Sequence, residues 1–323
     1  MRFVVYGAGA IGGVVGARLA QHGHDVLLVA RGTHLDAIRA HGLRLQAGTE
    51  DVTLPIPAAA HAREIDWRED DVVLLATKSQ DTLGVALALA EDAPRSLPVV
   101  SLQNGVANEP LLLRWFPNVY AVCVMSPTAH LEPGVVQAYS VPVSGLLDIG
   151  RYPHGLDDTA RAVAAALASA SFESIPRPDI MRWKYTKLLM NLGNAIEATC
   201  APSEAMGALA KRVRNEGRTV LRAAGIDAAS SEEDRERRGS IMTITPIEGS
   251  VRGGGSSWQS LARGTGTIES DYLNGEIVWL GRLHGVQTPA NELVRETAVR
   301  AAREHLPPGS FDAHALLDQL PAE

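Results

Sequence analysis

Short apolar runs alternate with helix-forming stretches through the first third of the chain. The runs are nearly continuous in Val, Leu and Ile, which is typical of strands that are buried on both faces. Helical patterns such as residues 12–22 and 82–92 separate them. This alternation predicts a parallel sheet covered by helices on both sides, with strands over residues 2–6, 25–30, 71–77 and 97–103.

The pattern changes twice further along the chain. Residues 119–150 form another β-rich stretch with Pro and Gly at its turns, which would extend the sheet. From about residue 179 helical periods dominate, with no convincing strand, and prolines within 174–180 interrupt the chain just before this point. We therefore predict an α/β protein with two domains, residues 1–178 carrying the sheet and residues 179–323 being all helical.

A polar stripe interrupts the apolar helical run at residues 182–198. At about 100° per residue, Lys187, Asn191 and Asn194 fall within one narrow arc of a helix, with leucines around them. Such a stripe is typical of a solvated surface, because long charged side chains extend into water. It is also what the wall of a ligand cleft would look like, where an ammonium and two amides converge.

Composition and charge narrow the class of protein. The chain has 323 residues, 46% hydrophobic and 21% charged, which fits a globular protein with two ordinary domains. Its net charge of −7 gives no indication of a nucleic-acid or acidic-membrane partner. Two cysteines, Cys123 and Cys200, make neither a disulfide framework nor a metal cluster. No run reaches the roughly 18 apolar residues of a membrane span, so we expect a cytoplasmic protein. Since no spacing of His, Cys and Asp is typical of a metal site, we also expect no bound metal.

Three glycines near the start form the pattern G-x-G-x-x-G at Gly7, Gly9 and Gly12. The pattern follows a predicted strand directly and opens a predicted helix, which is the context of a dinucleotide-binding turn. There the backbone approaches a pyrophosphate closely, and the helix N-terminus favours the anion. We predict an N-terminal Rossmann-type domain whose cofactor contacts include the whole turn, that is Gly7, Ala8, Gly9, Ala10, Ile11 and Gly12.

The residue after the second predicted strand indicates which dinucleotide binds. A carboxylate there would hold the ribose 2′-hydroxyl of NADH, but this chain has Ala30 followed by Arg31. A guanidinium can pair with a 2′-phosphate through two hydrogen bonds, which favours NADPH. The alternative for Arg31 is an ordinary exposed loop arginine.

Four further positions carry candidate chemistry, each with a plain structural alternative. Lys78 follows a strand at the sheet edge where α/β proteins bind ligands, but it could be a surface lysine. Asn104 begins an Asn-Gly turn, which turn geometry alone would explain, or it faces the nicotinamide. Glu269 begins a predicted amphipathic helix, where it favours the helix dipole or accepts a hydrogen bond from a substrate hydroxyl. His130 is either an ordinary loop histidine or a proton donor that would rival Lys187.

Together these motifs resemble the ketopantoate reductase family (2-dehydropantoate 2-reductases) over nearly the whole chain. That family shows a glycine turn, an Arg after strand two, a strand-ending Lys, an Asn-Gly turn, a K-x-x-x-N helix, and a Ser twelve residues before the Glu of E-x-D-Y-x-N-G. K-x-x-x-N alone also fits 3-hydroxyisobutyrate and 6-phosphogluconate dehydrogenases, whereas the last segment separates the families. The matching residues here are Gly7, Gly9, Gly12, Arg31, Lys78, Asn104, Gly105, Lys187, Asn191, Ser257, Glu269 and residues 271–275.

The resemblance implies NADPH-dependent reduction of ketopantoate to pantoate, in pantothenate and coenzyme A biosynthesis, with the ligand between the two domains. Reduction of a ketone develops negative charge on its oxygen, and the ammonium of Lys187 would neutralise that charge and supply the proton. Asn191 would orient the lysine or bind a hydroxyl. By resemblance, Glu269 would accept a substrate hydroxyl, Ser257 would bind the carboxylate, and Asn104 would position substrate and nicotinamide.

Two other functions remain open from the sequence. One is an NADPH-dependent reductase of another branched 2-keto or 3-hydroxy acid, which would share this machinery. The other is a non-catalytic NADPH sensor on the same fold. Apolar helical surface in the second domain is compatible with a homodimer, although the sequence does not fix the oligomeric state.

Overall fold

A computed structural model of the chain describes residues 1–247 and 253–321. The chain forms two compact units, of which the first comprises Met1–Trp183 and Ser231–Arg252 and the second Lys184–Ser230 and Gly253–Glu323. This arrangement differs from the predicted ranges 1–178 and 179–323, because a later segment returns to the first unit. Ion pairs hold that segment: Arg237 contacts Asp148 at 2.7 Å, and Arg182 contacts Glu233 at 2.7 Å.

Within the described residues, all strands lie in the first unit, where the sheet is predicted. In chain order they are β1 (Arg2–Tyr6), β2 (Asp25–Val29), β3 (Leu43–Ala47), β4 (Glu50–Leu54), β5 (Ala58–Ala59), β6 (Asp71–Leu75), β7 (Val99–Ser101), β8 (Val119–Met125), β9 (Thr128–Ala129), β10 (Val135–Ala138), β11 (Ser140–Pro142), β12 (Leu146–Arg151) and β13 (Met242–Ile244).

The main sheet of the first unit has seven strands in the order β12-β8-β7-β6-β1-β2-β5. All neighbours pair in parallel except β12, which runs antiparallel to β8. The predicted parallel sheet is therefore confirmed, and the stretch 119–150 extends it through β8 and β12. Its central strands are fully buried, as their apolar runs predict: Val4, Val5, Leu75 and Val100 each have 0% exposure.

A second, four-stranded sheet in the order β4-β3-β10-β9 lies in the same unit. Its hairpin β3–β4 occupies a stretch for which we predicted no element, although Leu43, Leu45 and Ala47 alternate with polar residues and Gly48 marks the turn. The expectation of no strand after residue 179 was wrong at one place. There β13 pairs antiparallel with β11, and such a short pairing has no signature of its own in the sequence.

The helices include the predicted crossovers of the sheet and nearly the whole second unit. They are α1 (Ala10–Gln21), α2 (Gly32–His41), α3 (Thr82–Asp92), α4 (Asn108–Leu112), α5 (Asp158–Ser169), α6 (Ile180–Asn191), α7 (Asn194–Thr199), α8 (Ala205–Ala223), α9 (Ser231–Arg238), α10 (Ser256–Ala262), α11 (Asn274–His284), α12 (Pro289–Arg303) and α13 (Ala313–Leu317). The division between the two units falls inside α6. Within residues 1–247 and 253–321, no helix combines the length and apolar character that a bilayer crossing requires.

The second unit packs α8, α11 and α12 around a core of leucine, isoleucine and valine. Leu209 and Val213 of α8, Ile277 of α11 and Val294 of α12 are all buried, each with at most 1% exposure. The N-terminus of α12 is capped by the Glu216 carboxylate, which accepts hydrogen bonds from the N–H groups of the first two residues after Pro289. The all-helical packing predicted for this part is thus confirmed for the second unit.

Candidate functional site

The first unit brings its four groups of candidate residues to one edge of the main sheet. Strands β7, β6, β1 and β2 are adjacent, and their last residues lie level with one another in the pairing register. Gly7 follows β1, Arg31 follows β2, Lys78 follows β6 and Asn104 follows β7. From β1 the chain continues to β2 on one side, whereas from β6 it continues to β7 on the other side. The edge between β1 and β6 is therefore a topological switch point, where open α/β sheets bind ligands.

The three glycines of the turn meet different surroundings. Gly7 has φ +104°, and a Cβ there would lie 2.9 Å from the Thr77 backbone nitrogen. A Cβ on Gly12 would lie 2.1 Å from the Gly7 carbonyl oxygen and 2.8 Å from the Ala76 Cβ. A Cβ on Gly9 would have no atom within 4 Å. The first and last glycines are thus required by packing within the unit, and the middle one opens the backbone to whatever approaches the turn.

The start of α1 is suited to an anion. Gly9 is its N-cap residue, no side chain caps the first turn, and that turn has no acidic residue. The N–H groups of the first turn have no partner within an α-helix, and the helix dipole adds partial positive charge. Ala10 and Ile11 in this turn are half-buried. The donor set and the open Gly9 therefore fit a pyrophosphate, which is what the glycine pattern predicts.

His34 of α2 connects the glycine turn to the loop before β10 through hydrogen bonds that the sequence does not predict. Its Nε2 lies 2.7 Å from the Ala8 carbonyl oxygen, and its Nδ1 accepts the Gly134 N–H at 2.9 Å. Since Nδ1 accepts, Nε2 must carry the proton and donate to Ala8. The ring also packs on His130 with centroids 4.1 Å apart. Burial lowers the pKa of His34, which favours this neutral form.

Arg31 extends into solvent at the end of β2. Its side chain is 87% exposed and lies 3.6 Å from the Asp81 carboxylate. This exposed pair costs little to rearrange, because its charges are screened by water. The guanidinium is therefore available to an incoming anion at the sheet edge. Lys78 and Asn104 are half-buried on the two neighbouring loops, and the histidine rival His130 binds the Val135 carbonyl oxygen through its Nδ1.

In the second unit, Lys187 and Asn191 lie one turn apart on α6. This spacing puts them on the same side of the helix, with Cβ atoms about 5–6 Å apart. Asn191 is buried at 5% exposure, whereas Lys187 is half-buried. The predicted stripe ends there, because the helix breaks at Leu192 and Gly193, and Asn194 begins α7. The expectation of three residues on one helical arc was therefore wrong for Asn194.

The two remaining candidates lie on segments that are hydrogen-bonded to α6 and α7. Ser257 is in the first turn of α10 and is 3% exposed; two residues before it, the Gly255 N–H donates to the Glu197 carboxylate of α7 at 3.3 Å. Glu269 is 5% exposed and starts a 3₁₀ turn, Glu269–Tyr272, so the helix predicted to begin there starts only at Asn274.

Asn274 connects this segment to the broken helix. Its Nδ2 donates to the Leu192 carbonyl oxygen at 3.1 Å and to the Asn291 Oδ1 at 3.0 Å. Leu192 is the first residue of the break that follows Asn191. The second unit thus brings together the segments that carry Lys187, Asn191, Ser257 and Glu269. Asn274 belongs to the sequence motif at residues 271–275, but its role there is not evident from the motif; an Asn beside an apolar helix face is a signal for a hydrogen-bonded positioning residue.

In the described parts of the chain, no three His, Cys, Asp or Glu side chains are grouped so that they could hold a metal ion. The donors at the sheet edge are instead backbone N–H groups, an ammonium, a guanidinium and amides. These groups suit phosphates and carboxylates.

A parallel sheet with a glycine-rich turn at its carboxyl edge, followed along the chain by a helical unit, is the architecture of a dinucleotide-binding α/β protein. The comparisons name the family. Residues 3–153 match the family "Ketopantoate reductase PanE/ApbA", and residues 179–300 match "Ketopantoate reductase PanE/ApbA C terminal". The chain belongs to this ketopantoate reductase family, as the resemblance of its motifs predicts.

Relatives match along nearly the entire chain. A 2-dehydropantoate 2-reductase of Pyrococcus horikoshii is 30% identical, over 96% of this chain and 100% of the relative. The crystal structure of a PanE/ApbA family ketopantoate reductase from Ralstonia eutropha JMP134 is 29% identical, with a TM-score of 0.77 over 94% of this chain and 99% of that one. A D-mandelate dehydrogenase solved with NADH and anilino(oxo)acetate has a TM-score of 0.79 at 22% identity over 94% and 99% of the two chains, which shows a shared fold.

Proposed function

We propose that this protein reduces 2-dehydropantoate to pantoate with NADPH, using Lys187 as the general acid. The observation that carries the proposal is the match of residues 3–153 and 179–300 to the two parts of one reductase family, in a chain that has Lys187 and Asn191 one turn apart on α6. The fold itself is less specific, since a D-mandelate dehydrogenase shares it.

The turn Gly7–Gly12 and Arg31 would hold the cofactor. The N–H groups of the first turn of α1 would bind the pyrophosphate, and the exposed Arg31 guanidinium would bind the 2′-phosphate in place of its contact with Asp81. Lys78 and Asn104 follow the adjacent strands and would contact the cofactor from there. When bound, NADPH supplies the hydride that the keto carbon accepts.

Lys187 would act on the keto oxygen. As the carbonyl is reduced, charge accumulates on that oxygen, and an ammonium at hydrogen-bonding distance stabilises it and then gives up a proton. The half-buried position of Lys187 suits this role, because a less hydrated ammonium interacts more strongly with a developing alkoxide. Asn191, one helical turn away and buried, would orient the ammonium without adding charge.

Ser257 and Glu269 would select the substrate. In this proposal the Ser257 hydroxyl binds the substrate carboxylate, and Glu269 accepts a hydrogen bond from the hydroxyl that lies remote from the reacting carbon. A neutral donor for the carboxylate and an acceptor for the hydroxyl match the two ends of ketopantoate. These contacts contribute proximity, so their loss would affect both kcat and KM.

Substitution of the lysine tests the mechanism. We expect Lys187→Ala to lower kcat for NADPH oxidation by ketopantoate by at least about 10²-fold, with unchanged NADPH affinity and unchanged unfolding. Lys211→Ala, which removes an exposed lysine of α8 in the same unit, is the matched control and should keep wild-type turnover. Near-normal kcat in Lys187→Ala would exclude it as the acid.

A substrate panel tests the specificity. Ketopantoate, other branched 2-keto acids and phenylglyoxylate, the keto acid related to mandelate, would be compared by kcat/KM with NADPH and with NADH. We expect ketopantoate with NADPH to be preferred. A higher kcat/KM for another keto acid would transfer the same mechanism to that substrate, whereas cofactor binding without any turnover would favour a sensor. The homodimer and the cytoplasmic location stay predictions. Light scattering, which measures the molar mass in solution, would test the homodimer.

A further inference from the structure

A cluster of buried polar side chains lies behind the two loops that carry Lys78 and Asn104. The cluster belongs entirely to the first unit, and each of its members is at most 4% exposed. None of them is ionisable. Its members are Ser79, Thr82, Ser101, Gln103 and Asn108.

The Thr82 hydroxyl is the centre of this buried cluster. It donates to the Asn108 Oδ1 at 2.8 Å and accepts from the Gln103 Nε2 at 2.9 Å. Ser101 adds a longer bond, from its hydroxyl to the Gln103 Oε1 at 3.3 Å. One hydroxyl at the start of α3 therefore couples two amides of the segment that follows β7.

Each amide then reaches one of the candidate loops. Gln103 donates to the Thr77 carbonyl oxygen at 2.9 Å, immediately before Lys78. Asn108 donates to the Asn104 carbonyl oxygen at 3.1 Å and to the Ser79 hydroxyl at 3.2 Å. The cluster thus holds the residue before Lys78, the residue after it, and the backbone of Asn104 itself.

The direction of these bonds fixes how the Asn108 amide is oriented. Rotation of that amide by 180° would put its oxygen against the Asn104 carbonyl oxygen, where two acceptors would repel each other. In a buried cluster a lost partner is costly, because water cannot replace it. The cluster therefore favours one arrangement of the two loops over others.

We propose that Thr82, Gln103 and Asn108 are positioning residues, which set the places of Lys78 and Asn104 at the sheet edge and so the efficiency of cofactor use. The inference rests on the proposed function insofar as Lys78 and Asn104 contact cofactor or substrate. Thr82 has 0% exposure, so it acts only through its two amide neighbours.

The test compares Thr82→Val with Thr82→Ser. Valine keeps the shape and removes the hydroxyl, whereas serine retains it. Since displacement of a binding group by about 1 Å can cost up to 10²-fold in rate, we expect Thr82→Val to lower kcat/KM at least about tenfold and Thr82→Ser to stay within about twofold of wild type. With no ionisable group in the cluster, the pH profile of kcat should keep its shape.

A ligand-free measurement separates this inference from the proposed function. Amide hydrogen exchange at residues 77–79 and 104–108 should accelerate at least about tenfold in Thr82→Val, with β1 and β2 unchanged, and recover in Thr82→Ser. If the wild type reduced no keto acid, the proposed function would be wrong. The hydrogen exchange rates and the NADPH affinity of the Thr82 variants would still test this inference.

Two results would overturn the proposal. One is exchange that rises equally in all segments of Thr82→Val, which indicates a general loss of stability. The other is unchanged kcat/KM, NADPH affinity and local exchange in that variant. If Thr82→Val does not fold, Gln103→Met replaces it. This variant removes the amide that donates to Thr77 and Thr82 and keeps a similar side-chain volume, and we expect the same changes in kcat/KM and local exchange.

Discussion

Gly9 and Gly12 lie three residues apart in the turn, yet the structure predicts opposite consequences for their substitution by alanine. Gly9 has φ −75°, which any L-residue adopts, and a Cβ there meets nothing within 4 Å. At Gly12 a Cβ would lie 2.1 Å from the Gly7 carbonyl oxygen. We therefore predict that Gly9→Ala impairs binding and spares the fold, and that Gly12→Ala damages the fold.

The magnitudes follow from the local geometry. At an N-cap, alanine is worse than glycine by about 0.5–1 kcal/mol, while the stiffer unfolded chain returns about 0.4–1 kcal/mol. The free energy of unfolding of Gly9→Ala should thus stay within about 1 kcal/mol of wild type. For a bound pyrophosphate, a methyl group on Gly9 would displace a charged acceptor whose hydrogen bonds contribute about 1.5–3 kcal/mol. That loss corresponds to roughly a 10- to 100-fold higher Kd.

Isothermal titration with NADPH and urea unfolding measure the two effects separately. For Gly12→Ala, overpacking should lower the free energy of unfolding by about 1–3 kcal/mol or more, because the facing Gly7 carbonyl and Ala76 Cβ belong to the buried turn. Wild-type NADPH affinity in Gly9→Ala would refute the assignment of this turn as the pyrophosphate site. Wild-type stability in Gly12→Ala would refute the packing argument.

Three further predictions concern other groups around the site. Arg31→Ala should raise the Kd for NADPH at least about tenfold and leave that for NADH nearly unchanged, and an unchanged preference would defeat the 2′-phosphate assignment. Because burial lowers the pKa of His34, its contribution to stability should be complete above about pH 6.5 and diminish as the pH falls below it; His34→Gln should flatten urea midpoints across that range, and an unaltered pH dependence would contradict this. Asn274→Leu should cost about 2–5 kcal/mol in urea unfolding, since the Leu192 carbonyl oxygen and the Asn291 Oδ1 both lose the Asn274 donor, and a smaller loss than about 1 kcal/mol would show that neither bond matters.

The order of apolar runs and glycines by itself determined the parallel sheet and the place of the glycine turn. These features are local: a continuous apolar strand, a glycine where only glycine fits, and a helix that begins at once. For the same reason Arg31, Lys78 and Asn104 could be placed at strand ends from sequence, because the carboxyl ends of parallel strands share one edge.

Only the tertiary structure decided which distant segments meet. The bond from Asn274 to the carbonyl beside the end of α6 and the bond from Arg237 of α9 to Asp148 each join residues more than 50 positions apart in sequence. Hydrogen bonds and ion pairs between such partners leave no periodic trace along the chain, since each requires only one suitable side chain at each end. The same holds for the Thr82 cluster, whose members look like ordinary turn and cap residues until the fold buries them together.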